Sequence, residues 1–500
     1  MRKVLIANRG EIAVRIARAC RERRLGVVAV YAGPDATRPH VLIADEAVCL
    51  DAPGDDRPVA AYLSVGRVID AARATGADAV HPGYGFLSER PELAAACADA
   101  GLTFIGPPAD VIARMGSKLE ARRLMEAAGV PCVPGARPQD QSLDGLRAAA
   151  HAVGVPLLVK ASAGGGGKGM RLVERMEDLE QALGAARREA ESAFGDGTLY
   201  VERALADPRH VEVQVIGDEA GTVRHLGERE CSLQRRHQKV VEEAPSPVVS
   251  PGLRARLGTA AVAAARAAGY RNAGTVEFLL HGEGDAAAFY FLEMNTRLQV
   301  EHAITEAVTG LDLVHLQLDV AEGRPLPSET ADVTPRGHAF ECRVYAEDPD
   351  AGFLPQSGRV LCYREPQGPG IRVDSGLREG DLVTPDFDPL LAKIVTHGPT
   401  RAVALARMRE AVRTSVVLGL RTNLPWLGRV LAQPDVERGA VHTGWLAAHA
   451  GNLTPPASEA LATLADAVAT TCRRTGSGAA GVVASETSTS PWDTLGGWRA

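Results

Sequence analysis

None of the eight cysteines, at positions 20, 49, 97, 132, 231, 342, 362 and 472, forms a Cys-x-x-Cys pair. Such scatter offers neither a zinc site nor a disulfide framework and fits a reducing cytoplasm. No apolar run approaches a membrane span, and the opening strand Lys3-Val-Leu-Ile-Ala7 is too short for a signal h-region. There is no excess of positive charge either. A net charge of −7 argues against a nucleic-acid binder on bulk electrostatics. Two nucleotide signatures are also missing. A dinucleotide site needs Gly-x-Gly-x-x-Gly after the first strand, and Asn8-Arg-Gly-Glu11 offers one glycine, which excludes a nicotinamide or flavin enzyme. A Walker loop needs Ser or Thr after its lysine, and Lys168 is followed by Gly169.

What is present fills more than one domain: 500 residues, 45% of them hydrophobic. Strand and helix patterns alternate up to about residue 115. Val4–Ala7, Gly26–Tyr31, Ala47–Leu50, Ala79–Val80 and Leu102–Ile105 read as strands, and Ile12, Ile16, Ala19 and Cys20 share one face of the first helix. That alternation predicts a parallel, doubly wound sheet. His81-Pro-Gly-Tyr-Gly-Phe-Leu-Ser88 follows a strand end, where such sheets place ligands, although alone it reads as a structural turn.

A helix is expected around Lys118–Ala128, then a small glycine-tipped module. Pro156–Lys160 and Met170–Val173 read as two strands joined by Gly164-Gly-Gly-Gly-Lys-Gly169. Most glycine runs are linkers, but this one is flanked by apolar strands and makes a hairpin tip. Backbone N–H groups of Gly165, Gly166 and Gly167 can then close over an anion. Lys118 and Lys160 are candidates for phosphate or adenine contacts.

The richest stretch runs from Phe289 to Glu301. Read as extended chain, it puts Glu293, Asn295, Arg297, Gln299 and Glu301 on one face and Leu292, Met294, Leu298 and Val300 on the other. The bland reading is a half-buried edge strand. Thr275–Leu280 forms a second strand across the turn His281–Asp285, which brings Glu277 beside Glu293 and Asn295. Three hard oxygen ligands on adjacent strands suit Mg²⁺.

These stretches, with His210–Val215, Glu228–Glu243 and Gly337–Pro349, resemble in order the biotin carboxylase component of the biotin-dependent carboxylases, an ATP-grasp family. The resemblance runs to about residue 448, and Gly376–Asp381 with Phe387–Lys393 is similar to the acyl-CoA carboxylase α-chains. It implies an α/β fold: a doubly wound N-terminal (pre-ATP-grasp) domain over 1–115, an ATP-grasp domain over 116–333 with its lid at about 132–204, and a mixed α/β C-terminal domain over 334–448. Residues 449–500 look like a linker ending in Ser490-Pro-Trp-Asp-Thr-Leu-Gly-Gly-Trp-Arg499, similar to the start of a carrier segment.

The resemblance also implies roles. Lys118, Lys160, Lys168, Gly169, Met170, Glu202, Arg203, Leu205, His210, Gln234 and Leu279 would surround ATP, with His237 near the phosphates. Glu277, Glu293 and Asn295 would hold Mg²⁺ or Mn²⁺. Lys239, Arg297, Gln299 and Val300 would bind bicarbonate, with Glu301 as the base that frees it to attack the γ-phosphate. Carboxyphosphate would then release CO₂ and phosphate. Arg343 would hold the enolate of biotin, with Tyr84 lining that site. Expected partners are a biotin carboxyl carrier protein and a carboxyltransferase, since no Met-Lys-Met biotinylation site occurs in the sequence. A homodimer through the face of Arg18 and Glu22, or a larger assembly, is implied as well. Ser117, Arg203 and Ala303 depart from the best-known bacterial pattern. Two alternatives stand beside this reading: a carbamoyl phosphate synthase-like ATP-grasp ligase, and a non-catalytic scaffold with a degenerate site.

Overall fold

The structure, a computed structural model, describes residues 1–55, 57–162, 170–236 and 238–454. The glycine-rich loop, His237 and the tail past residue 454 therefore lie outside the described residues. No described helix is long and apolar enough to cross a membrane.

The first strands form a five-stranded parallel sheet ordered Glu46–Cys49, Gly26–Tyr31, Lys3–Ile6, Ala79–His81, Thr103–Phe104. Alternation along the central strand feeds two cores, as a sheet covered on both faces requires. Val4 and Ile6 pack with Ile12 and Ile16 of the helix Gly10–Glu22, and Leu5 packs with Val68 and Leu93 on the opposite side. The first core also takes in Leu298, Leu313 and Leu316, so this domain packs directly against the chain that follows the large sheet's edge hairpin.

The expected glycine-tipped module is a four-stranded antiparallel sheet ordered Gly135–Ala136, Leu199–Arg203, Leu157–Ala161, Arg171–Val173. It has its own core, with Leu146, Val159, Leu183 and Val201 at the centre. Leu157 pairs with Val173, so the strands flanking the glycine run do form a hairpin.

An eight-stranded antiparallel sheet carries the rest. Its order is Ala288–Asn295, Asn272–His281, Arg209–Gly217, Val223–Arg235, Gln238–Ala244, His338–Tyr345, Leu390–Gly398, Ile371–Ser375. The sheet runs unbroken past residue 333, because Gln238–Ala244 pairs with His338–Tyr345. The helix Pro251–Ala268 covers one end. Ser250 caps it by accepting from the Leu253 N–H at 3.1 Å, and Pro251 opens its first turn.

Close approaches of a neighbouring backbone or side chain fix two conspicuous glycines. A Cβ on Gly376 would meet the Gly10 and Glu11 backbone at 2.6 Å, so the C-terminal region packs onto the start of the first helix only with hydrogen there. Gly83, at φ +63°, lies against Asn8, whose Nδ2 donates to Pro82 O and Tyr84 O at 2.7 and 2.8 Å. Asn8 thus ties down the His81–Ser88 turn.

Candidate active site

A cleft of about 1290 Å³ opens where the small module faces the large sheet. The hairpin Asn272–His281 and Ala288–Asn295 forms one wall, with Glu277 opposite Glu293 and Thr275 opposite Asn295. Strict alternation fails within it. Phe278 pairs with Phe291 while Glu277 pairs with Glu293, so Leu292 is an extra residue, a β-bulge. Phe289, Phe291 and Met294 therefore share one core, and Leu292, expected inside, lines the cleft instead. Strand geometry also ends at Asn295. Arg297, Gln299 and Glu301 reach the cleft from an irregular segment, not from the extended chain expected there.

The centre is a buried ion network. Lys239 Nζ donates to Glu212 Oε2 at 2.5 Å, Glu301 Oε1 at 2.7 Å and Glu277 Oε1 at 2.8 Å. Arg343 donates from Nε to Glu242 Oε1 at 2.6 Å and from Nη2 to Glu301 Oε2 at 3.0 Å. Beneath them Arg229, fully buried, donates to Glu212, Gln214, Thr305, Thr275 and Gln299. Burial alone pushes the Glu301 carboxyl up, but Lys239, Arg343 and Arg229 outweigh it and hold it well below the usual range. Glu277 is likewise held down against burial by Lys239 and His210. Burial opposes the Lys239 ammonium too, yet the three carboxylates lift it well above its ordinary value. Both partners are thus charged, which is what a base and an anion clamp require.

Arg297 donates from Nη2 to Asn295 Oδ1 at 3.1 Å, and Gln299 Nε2 donates to Glu277 at 2.9 Å. Lys160 Nζ donates to Glu202 Oε2 at 2.6 Å, and Arg122 holds the other oxygen. Burial lowers the Lys118 ammonium against the pull of Glu293. Met170, His210, Gln234, Leu279 and Val300 also line the cleft. Three expected residues do not. Arg203 and Leu205 are not among the lining residues, the Arg203 N–H donating to Pro134 O, and the Tyr84 hydroxyl donates to Glu11. Ser117 has a local task, capping the helix Lys118–Ala127. Gly165, Gly166, Gly167, Lys168, Gly169 and His237 fall outside the described residues.

The metal set fits its proposed ion by donor chemistry. Asn295 Nδ2 donates to Glu277 Oε1 at 2.8 Å, placing the two side by side. The Glu293 carboxylate across the hairpin has no hydrogen-bond partner among the described residues, which leaves hard oxygens facing the cleft. The residues that sequence reasoning missed are Glu212, Arg229 and Glu242. A signal for the first was there: His210, Glu212 and Gln214 alternate with Val211, Val213 and Val215. Arg235 is committed elsewhere, donating to both Glu347 oxygens at 2.9 Å.

Comparison with known proteins gives three family matches. The models described as "Biotin carboxylase, N-terminal domain", "Carbamoyl-phosphate synthase L chain, ATP binding domain" and "Biotin carboxylase C-terminal domain" match residues 1–112, 117–329 and 341–448. The biotin carboxylase of Halalkalibacterium halodurans is 48% identical over 452 residues, 90% of this chain and 98% of that one. The mitochondrial methylcrotonoyl-CoA carboxylase subunit alpha of Dictyostelium discoideum is 45% identical over 99% of this chain, which spans 70% of it. The chain spans 62% of the Arabidopsis thaliana counterpart. Among solved structures, the biotin carboxylase domain dimer of Hydrogenobacter thermophilus 2-oxoglutarate carboxylase, in complex with MgADP, ADP and bicarbonate, superposes with a TM-score of 0.86 at 42% identity. That match covers 91% of this chain and 99% of that one.

Proposed function

This chain belongs to the biotin carboxylase family of ATP-dependent ligases, and from that premise we propose that it carboxylates biotin on a carrier protein, using bicarbonate and ATP by way of carboxyphosphate. The observation that carries the residue assignment is the convergence of Lys239 and Arg343 on one ionised carboxylate, Glu301, inside the cleft.

In the resting network Glu301 is charged, and each of its oxygens accepts from a cation. Bicarbonate entering beside Lys239 and Arg297 competes with Glu301 for Lys239, so Glu301 is released as a base at the moment its substrate arrives. It takes the bicarbonate proton, and the freed oxygen attacks the γ-phosphorus as ADP leaves. Carboxyphosphate then breaks to CO₂ and phosphate, phosphate accepts the N1 proton of biotin, and N1 bonds to the CO₂ carbon. The Arg343 guanidinium, which stays protonated throughout, faces the oxygen that gains charge. Lys118, Lys160, His210 and the glycine loop with Lys168 bind the nucleotide. Glu277, Glu293 and Asn295 would hold Mg²⁺ or Mn²⁺, which supplies charge neutralisation at the phosphates.

The partners proposed are a biotin carboxyl carrier protein and a carboxyltransferase, in a homodimer or larger assembly working in the cytoplasm. Arg18 and Glu22, both exposed, are available on one helix face for such contacts. Matches to both flanking biotin carboxylase models favour this reading over carbamoyl phosphate synthesis. The test is ADP release by purified protein, expected to need bicarbonate and to rise with free biotin. Release indifferent to both would refute the reading.

A further inference from the structure

Two acids that the mechanism above leaves unused stand behind Arg343. Glu242 and Glu341 face each other in register across the strands Gln238–Ala244 and His338–Tyr345, and both are fully buried. Glu242 Oε1 accepts from Arg343, but Glu242 Oε2 and both oxygens of Glu341 have no hydrogen-bond partner among the described residues. Two carboxylates opposed at zero exposure repel each other, and no medium around them screens the charge.

The titratable groups facing Glu341 are Lys393 from the next strand, Glu242, Arg343 and Cys342 on its own strand, Glu301, and Tyr84 from the His81–Ser88 turn. Those facing Glu242 are Arg343, Glu301 and Lys239, with the neutral Tyr345 hydroxyl and the Cys231 and Cys342 thiols beside them. Among the described residues no cation closes on Glu341. Lys393 Nζ donates to Val300 O and lies 3.7 Å from Asp374 and 3.8 Å from Glu11, while Arg343 is turned to Glu242 and Glu301.

We propose that Glu341 carries a proton, so that Glu242 is the single ionised member of the pair, and that Glu242 acts as the positioning residue that holds the Arg343 fork toward biotin. The proposal rests on the functional reading above for the role of Arg343. Burial drives the Glu341 carboxyl well above the usual range, and burial, with Arg343 opposing, pushes Glu242 up to about 7. Above that value Glu242 is charged and anchors the guanidinium. As pH falls through it Glu242 takes up a proton, and Arg343 keeps only Glu301.

The test measures biotin KM and kcat on either side of pH 7 at saturating ATP, Mg²⁺ and bicarbonate. Wild-type biotin KM is expected to rise as pH falls through about 7. Glu242→Gln should raise it roughly tenfold to a hundredfold at alkaline pH, the loss of a charge-assisted hydrogen bond, and flatten its dependence across that window. Glu341→Gln, an amide shaped like the protonated acid, should keep the wild-type values and profile. Independently of turnover, the infrared difference between wild type and Glu341→Gln should contain the C=O band of a protonated carboxyl at alkaline pH. Unchanged biotin KM in Glu242→Gln, a loss in Glu341→Gln as deep as in Glu242→Gln, or absence of that band overturns the proposal. If Glu242→Gln does not fold, the wild-type profile and the band decide. Should wild type show no biotin-stimulated turnover, the functional reading fails, and the band still decides the state of the acid pair.

Discussion

Glu301→Gln separates chemistry from architecture because the surrounding charges can absorb it. Four carboxylates (Glu212, Glu242, Glu277, Glu301) meet three permanent cations (Lys239, Arg229, Arg343) in this network. Removing one negative charge strands no cation: Lys239 keeps Glu212 and Glu277, and Arg343 keeps Glu242. The amide offers one acceptor oxygen where the carboxylate offered two, so one of the two donors loses its partner. We expect a stability loss of about 1–2 kcal/mol, below the roughly 3–5 kcal/mol that an uncompensated buried charge costs. Turnover should fall much further, by a factor of about 10²–10⁴, because the proton acceptor is gone. Nucleotide affinity by calorimetry should stay near wild type, since Glu301 makes no hydrogen bond to Lys118 or Lys160. The assays are bicarbonate-dependent ADP release, calorimetric ATP binding and thermal unfolding. Turnover within about tenfold of wild type would refute the base assignment. A collapse of thermal stability would refute the charge argument.

Three further expectations follow from other parts of the cleft and sheet. Lys160→Met should weaken ATP binding roughly tenfold with the fold retained, because Arg122 still holds Glu202; unchanged calorimetric affinity would make Lys160 merely a partner of Glu202. Glu293→Gln should raise the Mg²⁺ concentration needed for nucleotide binding without altering metal-free thermal stability, since that carboxylate has no protein hydrogen bond among the described residues; stepped-Mg²⁺ calorimetry checks both halves. Glu243 is pushed up by burial but held below its ordinary value by His338, at 2.6 Å, and Arg401, at 2.7 Å. Its contribution is therefore present above the unfolded carboxyl pKa and lost as pH falls through the folded one. Glu243→Gln should lower stability by about 2–3 kcal/mol near neutrality, with the gap closing in acid, as urea unfolding at several pH values will read.

Local rules made much of this legible. The parallel sheet, the hairpin around the glycine run and the pairing of Glu277 with Glu293 all come from period-two alternation and turn chemistry, which act over a few residues. The same local rule misplaced Leu292, because a bulge depends on how the partner strand is registered, and alternation within one strand carries no record of that. It also extended the strand to Glu301, although the chain leaves the sheet after Asn295.

What the amino-acid sequence determined by itself was the inventory of chemical groups and the short elements that carry them: the lysines of the nucleotide side, the oxygen donors of the hairpin, and the polar segment from Arg297 to Glu301. Only the tertiary structure decided which charges neutralise which. Arg235 is spent on Glu347, 112 residues away, while Arg229 is sunk beneath the cleft as its fully buried anchor. The opposition of Glu242 and Glu341 arises because strands separated by about a hundred residues join one continuous sheet. The reason is physical: hydrogen-bond periodicity is local and repeats along the chain. Burial and Coulomb energy instead depend on distances between groups that only the folded chain brings together.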